Sequence, residues 1–259
     1  MLSTGEFTVM SSEEFLKNRA DMYNAKKGDL EGYNCPKCKN KGDRMYVKDG
    51  MMYLSPCECV KARASLKRLE KSGLHRLTKE YTFDKFNANE QWQKVLKDSA
   101  EEFSENPSGW FFIGGQPGSG KTHLCTAVVN KLINQGKSAK YMLWRDDATL
   151  LKGMVNEGEI YRQAINEYKA PDVLYIDDFF KVKRGEQPTA ADVNIAFEII
   201  NFRYNDFDKI TVFSSEISTG DILKIDEALG SRIIDRCGRY NQFVGYNIDK
   251  NYRLYRGAI

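Results

Sequence analysis

Gly115-Gln116-Pro117-Gly118-Ser119-Gly120-Lys121-Thr122 fits the phosphate-loop pattern G-x-x-x-x-G-K-[ST]. Before it stands Trp110-Phe111-Phe112-Ile113, a short aromatic and β-branched run that reads as a buried strand. After it, from His123 to Ile133, apolar residues recur at helical spacing. A strand feeding a helix through the loop is the context the pattern needs before it is read as chemistry. The glycines let the backbone curl so that successive N–H groups converge on phosphates. Lys121 offers a point charge to the outer phosphates, and Thr122 offers a hydroxyl to Mg²⁺. Residues 115–122, with His123 opening the helix, are therefore the expected ATP-binding set.

Further along the chain, residues 139–144, 173–177, 210–214 and 240–248 read as strands separated by helical stretches. That alternation argues for an α/β fold with a parallel sheet covered on both faces, and for a ligand at the carboxyl edge of its strands. Val173-Leu174-Tyr175-Ile176-Asp177-Asp178 is an apolar strand ending in two acids, the composition of a Walker B element. Asp177 is expected to hold the metal, directly or through water, and Asp178 to polarise the attacking water. The plainer alternative is a strand running into a solvated acidic turn. Ile210-Thr211-Val212-Phe213 ends in Ser214-Ser215-Glu216, which places small polar groups within reach of a γ-phosphate or simply forms a strand-terminal turn. Arg232 and Arg236 lie four apart on one helix face. An arginine delivered by a neighbouring subunit would stabilise charge on the transferred phosphoryl group. For Arg236 a surface pair with Asp235 is an equal alternative.

The chain has 259 residues, a net charge of +3 and 29% charged residues, enough length for an α/β core plus a small extra module. The mild basic excess permits nucleic-acid contact without requiring it. No apolar run is long enough to span a membrane, and the start, Met1-Leu2-Ser3-Thr4-Gly5-Glu6, lacks a basic and apolar signal pattern, so a cytoplasmic protein is expected. Six cysteines in a reducing compartment point to metal rather than disulfides where they cluster. Cys35-Pro36-Lys37-Cys38 and Cys57-Glu58-Cys59 supply four thiolates in two close pairs, the ligand set of a structural Zn²⁺. The alternative is a group of buried or redox-active thiols. Cys125 and Cys237 sit in helix-like segments and read as core residues.

Ser11-Ser12-Glu13-Glu14 reads as a capping box opening a helix that runs to about Ala25, and Lys61, Arg63, Lys67, Arg68 and Lys71 decorate a connector helix stopping near Gly73. The expected division is therefore residues 1–72, carrying the helix, the cysteine module and the connector, and residues 77–259, the nucleotide-binding domain. Lys181, Lys183 and Arg184, after Phe179-Phe180, would suit a single-stranded DNA backbone or a solvated loop equally.

Together, the loop at 115–122, Asp177-Asp178, Ser214-Ser215, Ser231-Arg232 and the terminal Asn251-Tyr252-Arg253-Leu254 resemble the AAA+ ATPases of the DnaC, DnaI and IstB group over residues 86–259. The resemblance implies a five-stranded parallel sheet in the order 5-1-4-3-2 and no C-terminal lid domain. It also makes Arg232 the arginine finger and places Ser215 and Glu216 in the sensor-1 turn. That turn commonly ends in Ser-Asn among relatives, so Glu216 is a departure, and Arg253 gains no sensor role. The cysteine module ahead of the ATPase core resembles the helicase-loader branch, DnaI-like and phage-encoded versions above all. From that branch comes the expectation of a hexameric replicative helicase gripped by residues 1–72 and delivered onto single-stranded DNA, with self-association through AAA+ interfaces. An IstB-like transposition helper acting on duplex DNA is the alternative, and a nucleotide-gated adaptor with negligible turnover is a third.

Overall fold

The computed structural model describes residues 11–31, 34–69, 78, 80–183 and 185–255. The chain divides into two compact units at Arg63/Ala64. The boundary falls inside the connector helix rather than after it, and the expected helix stop at Gly73 and domain start at Leu77 lie outside the described residues.

In the first unit, α1 (Ser12–Ala25) begins with the capping box expected from Ser11 and Glu14. It packs on a two-stranded antiparallel hairpin, β1 (Asp43–Lys48) and β2 (Met51–Pro56). Asn24 pairs with both backbone groups of Met45, and the Tyr23 hydroxyl donates to Asp43 at 2.6 Å. The hairpin between the two cysteine pairs was not expected from the sequence. Its signal was present in Asp49-Gly50, since a two-residue turn needs both residues at positive φ, and they adopt +50° and +71°.

α2 (Cys59–Leu69) starts in the first unit and ends in the second, where the buried Ser65 hydroxyl accepts the N–H of Ala139 at 2.8 Å. The second unit continues through α3 (Gln91–Glu105), β3 (Phe111–Gly115), α4 (Lys121–Asn134), β4 (Ala139–Leu143), α5 (Trp144–Met154) and α6 (Gly158–Lys169). There follow β5 (Val173–Phe179), α7 (Ala190–Tyr204), β6 (Ile210–Ser215), α8 (Thr219–Ile225), α9 (Glu227–Cys237), β7 (Asn241–Val244) and α10 (Tyr252–Tyr255). Five strands, β7-β3-β6-β5-β4 in that order and all parallel, form the sheet; counted along the chain this is 5-1-4-3-2. The three inner strands, β3, β6 and β5, read as near-continuous apolar runs because helices bury both faces.

The last strand is shorter than expected: pairing ends at Val244, and Ile248 opens a short 3₁₀ turn instead. Cys125 and Cys237 are buried as core residues. Arg203, fully buried, donates to the carbonyls of Tyr168, Lys169, Pro171, Asp172 and Ile210 and to the Thr211 hydroxyl, tying together the amino-terminal ends of β5 and β6. Arg236 serves likewise, donating to the carbonyls of Tyr204, Phe207 and Lys209. It is therefore a buried carbonyl clamp rather than a surface partner of Asp235.

Candidate nucleotide site

The loop at 115–122 joins β3 to α4 as its sequence requires, and Pro117 to His123 line a cleft of about 270 Å³, close to the lower end of the roughly 300–1,000 Å³ common for small-molecule sites. Gly120 turns the chain at φ +85°, where a Cβ would also come 2.7 Å from the Phe86 ring. Lys121 is 7% exposed, and its ammonium donates to the carbonyls of Gly115 and Gln116, each at 2.8 Å. Burial, the largest cause, holds its pKa below the ordinary lysine value, and the carboxylates of Glu216 and Asp178 work against that. Gly115 and Gln116 thus form the loop's base rather than its lining. The Gln116 side chain accepts the N–H of Asn247 at 2.7 Å.

Asp177 is 6% exposed and sits against the loop. The hydroxyls of Thr122 (3.2 Å), Tyr141 (3.0 Å) and Tyr175 (2.9 Å) all donate to it, and so does that of Ser214. Burial first, and then the Asp177 charge, raise both tyrosines far above the usual phenol value, so they remain donors. Neither tyrosine was singled out from the sequence. The register of β5 against β6 shifts between Ile176 and Phe179, and Asp178 adopts φ +54° at that bulge. A non-glycine residue in the left-handed region is strained, and the strain turns the Asp178 carboxylate into the cleft, one residue beyond Asp177. Phe179 and Phe180 stack at 4.2 Å under Trp144 and anchor the bend in the core.

The turn after β6 corrects one expectation. Ser215 is fully buried and its hydroxyl donates to the Phe179 carbonyl at 2.8 Å, so it braces the bulge and does not face the cleft. The residues of this turn that reach the site are Ser214, through Asp177, and Glu216, which lines the cleft. Lys181 forms ion pairs with Asp178 (3.0 Å) and Glu216 (2.8 Å). Within the basic run that suits a DNA backbone or a solvated loop equally, Lys181 is thus paired with acids; Arg184 lies outside the described residues, and Lys183 is exposed.

Aromatic groups complete the cleft. Tyr81 stacks on His123 at 4.7 Å, Phe86 meets the same ring edge-on, and Trp92 and Tyr252 also line the wall. Arg253, left without a role by the sequence, lines the cleft too. The Tyr252 N–H donates to the Gly118 carbonyl at 3.0 Å and holds this segment on the loop. Arg232 lies outside the cleft. It is half-buried on α9, its Nη1 donates to the Ala228 carbonyl at 2.7 Å, and its guanidinium lies over the rings of Phe197 and Tyr204.

In the first unit, the sulfurs of Cys35, Cys38, Cys57 and Cys59 lie within 4.8 Å of one another and all four residues are buried. Cys35–Cys57 is 3.8 Å and Cys38–Cys59 is 3.5 Å. A tetrahedral zinc with Zn–S bonds of about 2.3 Å separates its sulfurs by about 3.8 Å, so the donors fit that ion. Burial opposes a thiolate at Cys38, but the Gly42 N–H donating to its sulfur and the neighbouring sulfurs lower it to about 7. Lys37 and Glu58, paired at 2.6 Å, link the two cysteine turns from outside.

Residues 60–256 match the family described as IstB-like ATP binding protein. The chain belongs to that family. As a member of the IstB and DnaC kind of AAA+ protein it is an ATP-binding protein with replication-related kin. It is 30% identical over 240 residues to the phage-like element PBSX protein XkdC of Bacillus subtilis (strain 168), covering 87% of this chain and 88% of that protein. It is 29% identical over 215 residues to the replicative helicase loader DnaC of Buchnera aphidicola subsp. Acyrthosiphon pisum (strain APS), covering 78% and 82%. Among solved structures, AMPPCP-bound DnaA from Aquifex aeolicus superposes with a TM-score of 0.53 at 24% identity, over 67% of this chain and 52% of that one. DnaI superposes at 0.50 and 16% identity, over 68% and 93%. At these identities the structural likeness is one of fold. Among the described residues no helix is long and apolar enough to cross a membrane.

Proposed function

We propose that this protein is an ATP-dependent loader that binds a hexameric replicative helicase through its N-terminal part, residues 1–72, and delivers the ring onto single-stranded DNA. The observation that carries this reading is the match to a replicative helicase loader across 82% of that protein's length. Arg232 lies outside its own protomer's cleft, a placement that suits delivery to a neighbour's site and supports assembly into a ring or filament.

ATP would lie along residues 117–123, its phosphates on the loop amides and Lys121. Thr122 and Asp177 would hold Mg²⁺, which when bound neutralises charge on the β- and γ-phosphates. Asp177, fixed by four hydroxyls, suits a rigid ligand. Asp178, turned into the cleft, suits the group that accepts a proton from the attacking water. Arg232 from a neighbouring protomer would leave its own helix and meet the γ-phosphate. Nucleotide state would then set the closure of the subunit interface. The four cysteines would hold a structural Zn²⁺ that fixes the α1 and hairpin unit for the helicase, since four protein ligands leave no open position for a substrate.

Light scattering of the protein mixed with its replicative helicase, with and without ATP, tests the loader reading. A complex that disappears when the chain is started at Ala64 is expected; that cut preserves the Ser65–Ala139 hydrogen bond. ATP-dependent assembly on duplex DNA with no helicase complex would instead favour the alternative reading, a transposition helper.

A further inference from the structure

We propose that Lys181 is a γ-phosphate ligand, anchored by Glu216 and parked on Asp178 until ATP enters. The three residues come from two neighbouring strand ends: Asp178 at the β5 bulge, Lys181 three residues on, and Glu216 in the turn after β6. All three line the same cleft as Lys121 and Thr122. The Lys181 ammonium bridges the two carboxylates at 3.0 and 2.8 Å, and each of the three side chains is only about one-third exposed.

A glutamate at this turn would by itself repel a γ-phosphate, and a second carboxylate at Asp178 doubles the problem. Lys181 resolves it, because it is the ammonium placed between both acids. Lys85, another lysine of the cleft, is paired with Glu80 at 3.1 Å. An ammonium has three N–H donors, of which two are committed here, so a phosphate oxygen can be met without losing every existing bond. Burial alone would lower the Lys181 pKa, yet its bonds to Glu216 and Asp178 outweigh burial and raise it, so the group stays a cation throughout the neutral range.

The γ-phosphate carries more charge than one carboxylate and competes for the ammonium. As Lys181 turns towards it, Glu216 keeps its hold and Asp178 is released to bond with water. With ADP, which lacks that phosphate, Asp178 stays tied. The Lys181–Glu216 pair thus makes release of Asp178 conditional on the nucleotide.

Because this role presupposes an ATP site, the test separates the two. Displacement of a fluorescent ADP analogue by ATP and by ADP, both with Mg²⁺, is measured for the wild-type chain and for Lys121→Ala, Lys181→Met, Lys181→Arg and Glu216→Gln. Losing one charge-assisted bond to the γ-phosphate lowers the preference for ATP over ADP by about tenfold or more in Lys181→Met, with ADP affinity unchanged. Lys181→Arg keeps most of the preference, and Glu216→Gln, which removes the charge that anchors the ammonium, lowers it less than Lys181→Met does. An unchanged ATP/ADP ratio in Lys181→Met overturns the proposal while leaving the ATP site intact. Equal losses for ATP and ADP also overturn it, since they mark a merely structural lysine. A wild-type chain that binds neither nucleotide removes the ATP site itself and this role with it.

Discussion

Arg232→Ala separates a residue that supports its own fold from one that completes a neighbour's site. Within its protomer the side chain makes one hydrogen bond to the Ala228 carbonyl and lies over the rings of Phe197 and Tyr204 at 5.1 and 5.4 Å. A hydrogen bond to the helix's own carbonyl and two half-exposed cation–π contacts together contribute about 2 kcal/mol, and swinging the guanidinium out gives up the same amount. Loss of an arginine finger slows hydrolysis by roughly 10³-fold or more, about 4 kcal/mol of transition-state stabilisation. The substitution therefore lowers stability modestly, leaves ATP binding intact and removes turnover in the assembled state. The decisive assay mixes Arg232→Ala with Lys121→Ala, each inactive alone. In a head-to-tail assembly about a quarter of the interfaces in an equal mixture pair an intact cleft with an intact arginine, so activity reappears at about that fraction of wild type. A mixture no more active than its parts, or an Arg232→Ala protein with normal turnover, refutes a finger acting in trans.

The cysteine geometry predicts about one zinc per chain by elemental analysis. Cys38→Ser should lose that metal and unfold the first unit, as read by protease cutting within residues 11–63, while nucleotide binding persists. Arg203→Met removes the guanidinium from five carbonyls, of which that of Asp172 keeps the Ile210 N–H, and should cost roughly 3–5 kcal/mol in denaturant unfolding without changing the KM for ATP; a loss below 1 kcal/mol, about that of one ordinary hydrogen bond, would contradict its role as a clamp. Asp192 is held below the ordinary carboxylate value: burial raises it, but the Thr189 hydroxyl and Lys152 together outweigh burial. A carboxylate depressed in the folded state stabilises above its unfolded pKa, and that contribution disappears as pH falls through the folded value. Asp192→Asn should therefore be less stable than wild type at neutral pH, with the gap closing in acid; a gap independent of pH would contradict this linkage.

Most of the core was legible because its signals are local. Phe111 to Gly115 and Val173 to Phe179 are apolar runs flanked by turns, and a strand buried on both faces by helices has to be written that way. The capping box at Ser11 and Glu14 was equally local. The hairpin at Asp43 to Pro56 escaped because its strands are half-buried or exposed throughout and their apolar residues do not alternate with polar ones, although Asp49-Gly50 carried the turn. Arg203 and Arg236 could not be assigned from sequence: what decides their roles is a set of carbonyls gathered from β-strand ends and turns remote from the helices that carry them.

The site shows the same boundary between local and assembled information. Residues 115–122 and Asp177 were readable because phosphate and metal chemistry fixes residue type at short spacing. Ser215 was misplaced by a single residue. Adjacent side chains on a strand point to opposite faces, so the hydroxyl beside Asp177 had to be either Ser214 or Ser215, never both. The bulge in β5 breaks that alternation within β5 itself, placing Asp178 in the cleft and setting the Phe179 carbonyl against Ser215. A one-residue insertion in the ladder, invisible to periodicity, therefore decides which hydroxyl touches Asp177 and which one braces the fold. The same bulge brings Lys181 back over the strand ends towards Glu216. The acid in the turn after β6 and the lysine three residues past Asp178 are two halves of one ion pair, and the charge of each is balanced by the other.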